Sequence, residues 1–471
     1  MDGGTLAPWA NVKFGNNDIF KGIYESLCVM NSDGSVSNDL MQSVTKVDDL
    51  HYNITIYDNI YDTAGNHITA SDVVFSINDG YVGIGKNQGG VSDLDHVEKV
   101  DDYTIQWINK TPFGNGMEYK EFANPRIVSQ AAYEASSDGM ATDPVGSAAY
   151  VVTSYVPGSS IVLEKNTKYW QTDPTKLSPC GIANVDKITY NIILDSSQMA
   201  MALQAGNIDF AGALNSTDLE DFTGNPNFNI VEKPSVLPFL LLFNPTDQSP
   251  CSDINLRKAI LEGVDNNAIV AALTEESVPL TSISNPHGVD YQPEWANRTQ
   301  WSYDADAAKA ALAQSGYKSG TELKLLVNNG SSVGEGCAMV IQSELQEIGI
   351  TVTIDTVDSA TYRTQSTDAS AYDLLLMENG GGPYSTQCWN NAFSYTSGKT
   401  PINDSTLQQK LDSAIATGAP TDLNAFQDYV DQMAYGKGLV QPIFRTASST
   451  KIAQVFLGQD NNYLIGCSIF N

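Results

Sequence analysis

Glu322-Leu-Lys-Leu-Leu-Val-Asn328, then Cys337-Ala-Met-Val-Ile-Gln-Ser-Glu-Leu-Gln-Glu-Ile348-Gly349, then Ile350-Thr-Val-Thr-Ile-Asp-Thr-Val357 is the stretch that decides the fold. The first run reads as a strand. In the second, apolar residues at 337, 340, 341, 345 and 348 share one face of a helix, and Gly349 stops it. The third alternates as a strand again. A short helix over Ser359–Gln365 leads to a buried strand over Tyr372–Met377. Strand–helix–strand–helix–strand supplies the crossovers that a parallel sheet requires. Upstream, Ser252–Gly263, Asp265–Leu273 and Asp304–Ser315 read as helices, the last ended by Gly316.

Nearer the N-terminus the pattern is different. Residues 50–57 alternate as a half-buried strand, and Val97–Asn109 reads as two strands around an Asp101-Asp102 turn. Between them, Thr69 or Ser71 caps a helix. No internal repeat is present. The whole reads as α/β in more than one lobe.

The 471 residues amount to about three domains' worth of chain, taking roughly 150 residues per domain. Hydrophobic content of 42% is that of a folded protein with large cores. Lys and Arg total 25 against 55 Asp and Glu, a net charge of −30, and only five of the cations are arginines. Such a surface repels phosphate backbones, so nucleic acid is excluded as a partner. The longest apolar stretches, such as Val236–Phe243, fall far short of the ~20 residues that cross a bilayer. The six cysteines, at 28, 180, 251, 337, 388 and 467, never form a Cys-x-x-Cys pair, which removes zinc-ribbon and thioredoxin readings.

Motifs with catalytic potential are few. Gly330-Ser331-Ser332-Val333-Gly334 fits Gly-x-Ser-x-Gly between a strand and a helix. That hydrolase order needs a histidine after the serine, yet His51, His67, His96 and His287 all precede Ser332. A flexible strand-to-helix loop is the better reading. Gly80 to Asn87 approximates a P-loop, but Asn87 stands where a magnesium-binding hydroxyl belongs, so a glycine-rich connecting loop is expected. Asp48-Asp49 and Asp101-Asp102 read as solvated turns, and no metal-ligand spacing appears. No catalytic residue, cofactor or metal is expected.

Several segments, taken in order, resemble the solute-binding proteins of ABC importers in the peptide/nickel family, the extracellular solute-binding proteins of family 5. They are Ile23-Tyr24-Glu25-Ser26-Leu27, Ile68-Thr69-Ala70-Ser71-Asp72-Val73-Val74-Phe75-Ser76, Asp143-Pro144-Val145-Gly146 with Tyr150, and Val162 to Asn166 with Lys168-Tyr169-Trp170. Further along come Ala202 to Asp209, Leu256 to Ile260 with Val264-Asp265, and Tyr303-Asp304-Ala305 through Gly316-Tyr317. The resemblance covers nearly the whole chain. It implies a periplasmic-binding-protein-like fold of type II, the Venus flytrap, with two α/β lobes and a subdomain inserted in lobe I. Lobe I would comprise 1–39, 150–235 and 446–471, the inserted subdomain 40–149, and lobe II 236–445. A ligand taken between closing lobes would be delivered to an ABC permease in the membrane, with no chemistry performed.

The resemblance also implies ligand-binding residues: Asn17, Arg126, Glu378, Gly382, Tyr384 and Trp389. Peptide binders of the family carry an aspartate shortly after the strand matching Tyr372–Met377, where it pairs with the α-ammonium. This chain has none there, and Glu378 stands slightly early. Gly382-Pro383-Tyr384 and Pro125-Arg126 resemble the nickel-chelate branch, although Gly380 replaces that branch's tryptophan. A short peptide is the first reading of the ligand and a nickel chelate or other small carboxylate the second. A non-transport surface receptor and a serine esterase are remote. The bare start at Met1 together with the resemblance leads to the expectation of a leader upstream of Asp2, with a lipid-bearing cysteine, and of an extracytoplasmic monomer, periplasmic or lipid-anchored at the cell surface. For an exported chain the cysteines are expected to be wholly or partly disulfide-bonded, with a bond among Cys251, Cys337 and Cys388.

Overall fold

The computed structural model describes residues 4–10, 17–31, 34–85, 91, 93–114, 116–212, 214–235, 237–379, 384–457 and 465–471. The chain divides into two compact units, Met1–Val231 with Arg445–Asn471, and Glu232–Phe444.

The second unit is built on the stretch that opened the sequence reading. Strands Gly436–Ser449, Phe239–Phe243, Leu374–Glu378, Glu322–Asn328 and Thr351–Val357 lie in that order. The Glu322–Asn328 strand pairs in parallel with both of its neighbours, so the expected βαβαβ run is present. Phe239–Phe243 runs antiparallel to Leu374–Glu378 and to Gly436–Ser449. Its five residues are all buried because the sheet is covered on both faces. Phe239, Leu241 and Phe243 join a core with Leu256, Ile260, Ile341 and Leu345. Leu240 and Leu242 join another, with Trp295, Trp389, Phe393 and Phe426.

Aspartates start the flanking helices as the sequence grammar requires. Asp253, Asp265 and Asp304 each accept a backbone N–H at the head of Ile254–Gly263, Asn266–Ala272 and Ala305–Gln314. The helix expected from Cys337 begins instead at Ser332, because the Ser331 hydroxyl caps it by accepting from Gly334 N. This corrects the reading of residues 330–334 as a flexible loop. Ser332 lies in the first turn, and its hydroxyl donates to the Glu275 carboxylate. Gly349, at φ 93°, ends the helix in a conformation that favours glycine.

The first unit carries, among the described residues, two larger antiparallel sheets besides the two-stranded pairs Cys28–Met30 with Val36–Asn38 and Ile452–Gln454 with Ile469–Phe470. Met41–Lys46, His51–Ile56, Thr104–Asn109 and Leu94–Lys99 form one in that order, and Tyr150–Val156, Ser160–Lys165 and Lys187–Asn191 the other. Asp72 Oδ2 accepts from Thr69 N at 2.8 Å and from Thr69 Oγ1 at 2.9 Å, which fixes the helix start at Ala70. That helix continues as a wide π-helix over Phe75–Ile84. The glycine-rich run therefore enters as helix and not as a connecting loop; residues 86 and 87 lie outside the described residues. Gly80 is required there, since a Cβ would meet the Trp9 ring at 2.3 Å.

Glu25 sits at the centre of this unit, 1% exposed. Its carboxylate accepts from Tyr169 Oη at 2.6 Å and Trp170 Nε1 at 2.7 Å. Asp39, also buried, accepts from Ser178 Oγ at 2.8 Å and Ser26 N at 3.2 Å.

All six cysteines are buried thiols, and the bond expected among Cys251, Cys337 and Cys388 is not formed. Cys251 and Cys337 belong to the core on one face of the second unit's sheet, whereas Cys388 contacts Asn379 at the foot of the helix Ser385–Phe393, whose Trp389 and Phe393 fill the core on the other face. The sheet stands between them.

Candidate ligand-binding residues

Arg126 follows the short helix Glu118–Phe122 and precedes Ile127, whose N–H donates to Glu25 O at 2.9 Å. This bridge fixes the backbone on either side of the arginine. The Arg126 carbonyl accepts from Trp9 Nε1 at 3.1 Å, and Arg126 Nη1 donates to Pro8 O at 2.7 Å. Its guanidinium carbon stands 4.3 Å from the centroid of the Phe20 ring. Burial lowers the pKa to about 10, opposed by the phenols of Tyr81 and Tyr24, so the group remains charged at neutral pH. Asn17 opens the helix Asn17–Ile23, which carries Phe20 on its next turn.

In the second unit the residues of interest follow the strand Leu374–Glu378. Glu378 is exposed at the strand's end, and loss of part of its solvent shell to neighbouring protein raises its pKa. Asn379 is buried, donating from N to Pro238 O at 3.0 Å and from Nδ2 to Cys388 O at 2.7 Å. Gly382 lies outside the described residues. Tyr384 is buried and caps the helix Ser385–Phe393, its carbonyl accepting from Gln387 N and Cys388 N. Trp389 is fully buried in that helix, 5.6 Å from the Trp295 ring and 4.6 Å from the Phe426 ring. It packs in a core with Leu240, Leu242 and Phe393.

Sequence reasoning missed Asp290. Its carboxylate accepts from Ser385 N at 2.6 Å and from Thr386 N and Thr386 Oγ1 at 3.1 Å each. A carboxylate at a helix N-terminus satisfies amides that the helix itself cannot, and it matches the positive end of the dipole. Asp290 thereby holds the C-terminal root of the glycine-rich segment in place from 95 residues away. No local pattern around Asp290 could have revealed that role.

A polar group beside it was missed as well. Gln441 Nε2 donates to Asn285 Oδ1 at 2.9 Å and to the Ser235 carbonyl. Asn285 Nδ2, Gln441 Oε1 and Ser284 Oγ are buried without a protein partner. A donor, an acceptor and a hydroxyl in that state suit bound water or the polar edge of a ligand. Among the described residues no three His, Cys, Asp or Glu side chains gather as a metal site, and no helix is long and apolar enough to cross a membrane.

Residues 35–401 match the family model of bacterial extracellular solute-binding proteins, family 5. The glutathione-binding protein GsiB of Salmonella paratyphi A is 24% identical over 365 residues, covering 75% of this chain and 68% of the relative. Among solved structures, AppA from Clostridium difficile superposes with a TM-score of 0.83 at 19% identity, over 100% of this chain and 98% of that one. The dipeptide binding protein from Pseudoalteromonas sp. SM9913, in complex with Met-Leu, gives 0.76 at 16% identity, over 99% and 98%. At these identities the structural likeness establishes the fold, that of the periplasmic binding proteins.

Proposed function

The chain belongs to the bacterial extracellular solute-binding proteins of family 5, and from that premise we propose that it binds a short peptide for an ABC importer. The family is one of solute binders that act outside the cytoplasm and not of enzymes. The relative GsiB is named for glutathione, itself a small peptide, and the Pseudoalteromonas structure holds Met-Leu.

The reading is carried by the family match, and it is supported by two charged residues that the resemblance assigns, Arg126 in the first unit and Glu378 in the second. A peptide is a zwitterion. Arg126 offers a preorganised guanidinium for its carboxylate, and Glu378 an exposed carboxyl for its α-ammonium. Against a net charge of −30, a ligand carboxylate needs such a local cation. Tyr384, Trp389, Gly382 and Asn17 are the further positions that the resemblance assigns to the ligand. Lobe I is 1–39, 150–235 and 446–471, the inserted subdomain 40–149, and lobe II 236–445. The protein is a monomer, either periplasmic or tethered by a lipid at the cell surface, and docks on its permease when loaded.

Native mass spectrometry of protein purified from its own host tests this. A co-purifying mass in the range of a di- to pentapeptide supports it. A co-purifying metal complex would replace the peptide with the chelate.

A further inference from the structure

The six thiols are not equivalent. Cys28, Cys251, Cys337 and Cys388 are 1% exposed or less, whereas Cys180 and Cys467 retain 8% and 7%. These two are also the ones brought together. They share one small apolar cluster with Val29, Ile182 and Phe456, and Cys467 adds to the upward pKa shift of Cys180. Cys180 lies in the turn Pro179–Gly181 and Cys467 in the turn Ile465–Cys467, and the two turns pack on each other.

The backbones that carry them are held in register. Asn184 N donates to Gly466 O at 2.8 Å, and Asn184 Nδ2 donates to the carbonyls of Cys467 and Ser468 at 3.1 Å each. Gly466 is pressed on Tyr150, where a Cβ would come within 2.7 Å of the ring. Ile452 pairs with Phe470 beyond it. The turn cannot slide without breaking these contacts.

We propose that Cys180 and Cys467 form a disulfide when the protein meets a disulfide-bearing oxidant outside the cytoplasm. The location rests on the family reading; the pairing rests on the geometry. One cysteine, as thiolate, attacks a sulfur of a small-molecule or protein disulfide. It forms a mixed disulfide and releases one thiol. The second thiolate then attacks the first cysteine's sulfur and releases the other thiol. The pair loses two protons and two electrons, and the acceptor disulfide becomes two thiols. Cys467 is the better first nucleophile, since burial raises it to about 12 and Cys180 further. The bond fastens the C-terminal segment to the first unit. It also closes a loop that contains the whole of the second unit, because the chain leaves the first unit after Val231 and returns at Arg445.

The test is incubation of the full chain with oxidised glutathione, alkylation of remaining thiols under denaturing conditions, and non-reducing peptide mapping. The expected result is one linked peptide pair holding Cys180 and Cys467, with the other four cysteines alkylated. Cys467→Ser should leave Cys180 alkylated or glutathionylated and yield no linked pair. Both residues found alkylated in the wild type, or either linked to a different cysteine, overturns the pairing. Because the oxidant is added in the tube, that failure is independent of where the protein resides. The bonded form should melt about 5 °C above the reduced form, a difference absent in Cys467→Ser. Equal melting of the two forms overturns the fastening role.

Discussion

Replacing Asp39 with asparagine should flatten the dependence of stability on pH. Asp39 is buried beside Glu25, and burial raises its pKa from 3.8 to about 6; hydrogen bonds from Ser178 and Ser26 and the charge of Lys21 pull the other way. Glu25 rises too, first through burial and then through the charge of Asp39. Two carboxyls in one dry site cannot both ionise cheaply, so the folded pair retains a proton that the unfolded chain has lost. The sign follows. A folded pKa above the unfolded value contributes stability that is fully present below about pH 4 and is lost as pH rises through about 6. A shift of about two units corresponds to about 3 kcal/mol. Urea unfolding followed by tryptophan fluorescence, at steps from pH 4 to 7.5, measures it, and Trp170 on Glu25 is a local reporter. Asparagine keeps the acceptor for Ser178 but presents an amide to Ser26 N, which costs about 1–3 kcal/mol at every pH. What should shrink is the slope, since Glu25 keeps the part of its upward shift that burial causes and loses the part due to Asp39. Glu121, raised to about 8 by burial, slopes the same way, and Lys437, lowered to about 8, slopes oppositely. Both remain in the variant, so the difference between the two curves isolates the pair. If Asp39→Asn and wild type lose stability in parallel across this range, the shared proton does not exist.

Arg126→Ala should weaken binding of the co-purified ligand by about 2–5 kcal/mol in calorimetry, with Arg126→Lys recovering only part. It should also cost the ligand-free protein about 1–2 kcal/mol, since the contacts with Pro8 and Phe20 go with it; unchanged affinity would return this arginine to a structural role. Lys437→Met should lower stability by about 3–5 kcal/mol in chemical unfolding, because Lys437 Nζ donates to the carbonyls of Leu261, Val264 and Trp301 and all three would be left buried and unpaired. Asp290→Ala should raise hydrogen-exchange rates over Ser385–Phe393 and the segment before it while leaving the strand Glu322–Asn328 protected; uniform protection in both would show that the helix needs no cap from Asp290.

Periodicity reached the second unit's main elements between Ile254 and Glu378, where apolar periods and aspartate caps are written within a few residues of one another, but not the strands Phe239–Phe243 and Gly436–Ser449 or the helices Ser385–Phe393, Ser405–Thr417 and Pro420–Gln432. The same locality explains the miss at Ser332. A serine cap at Ser331 extends the helix by one turn and absorbs a motif that pattern matching alone assigns to a loop. The segments that carry the family resemblance prove to be largely structural. Glu25 of the first segment holds Tyr169 and Trp170 of a later one, and Gly146 is required because a Cβ would lie 2.0 Å from Ile23 O. Such residues hold the core of a family together whatever ligand its members take. That is why the family was legible and the ligand was not. The polar contacts that the sequence did not reveal join residues far apart in the chain, Asp290 with Ser385 and Asn285 with Gln441, and neither partner has a local pattern. Trp389 shows the converse: an aromatic beside a glycine-rich segment reads as a ligand contact, yet the 3.6-residue period of its helix turns it into the core with Phe393. A variant series at Arg126 and Glu378, the two charges of the proposed reading, and at Asn285 and Gln441 therefore tests the ligand where further sequence pattern cannot.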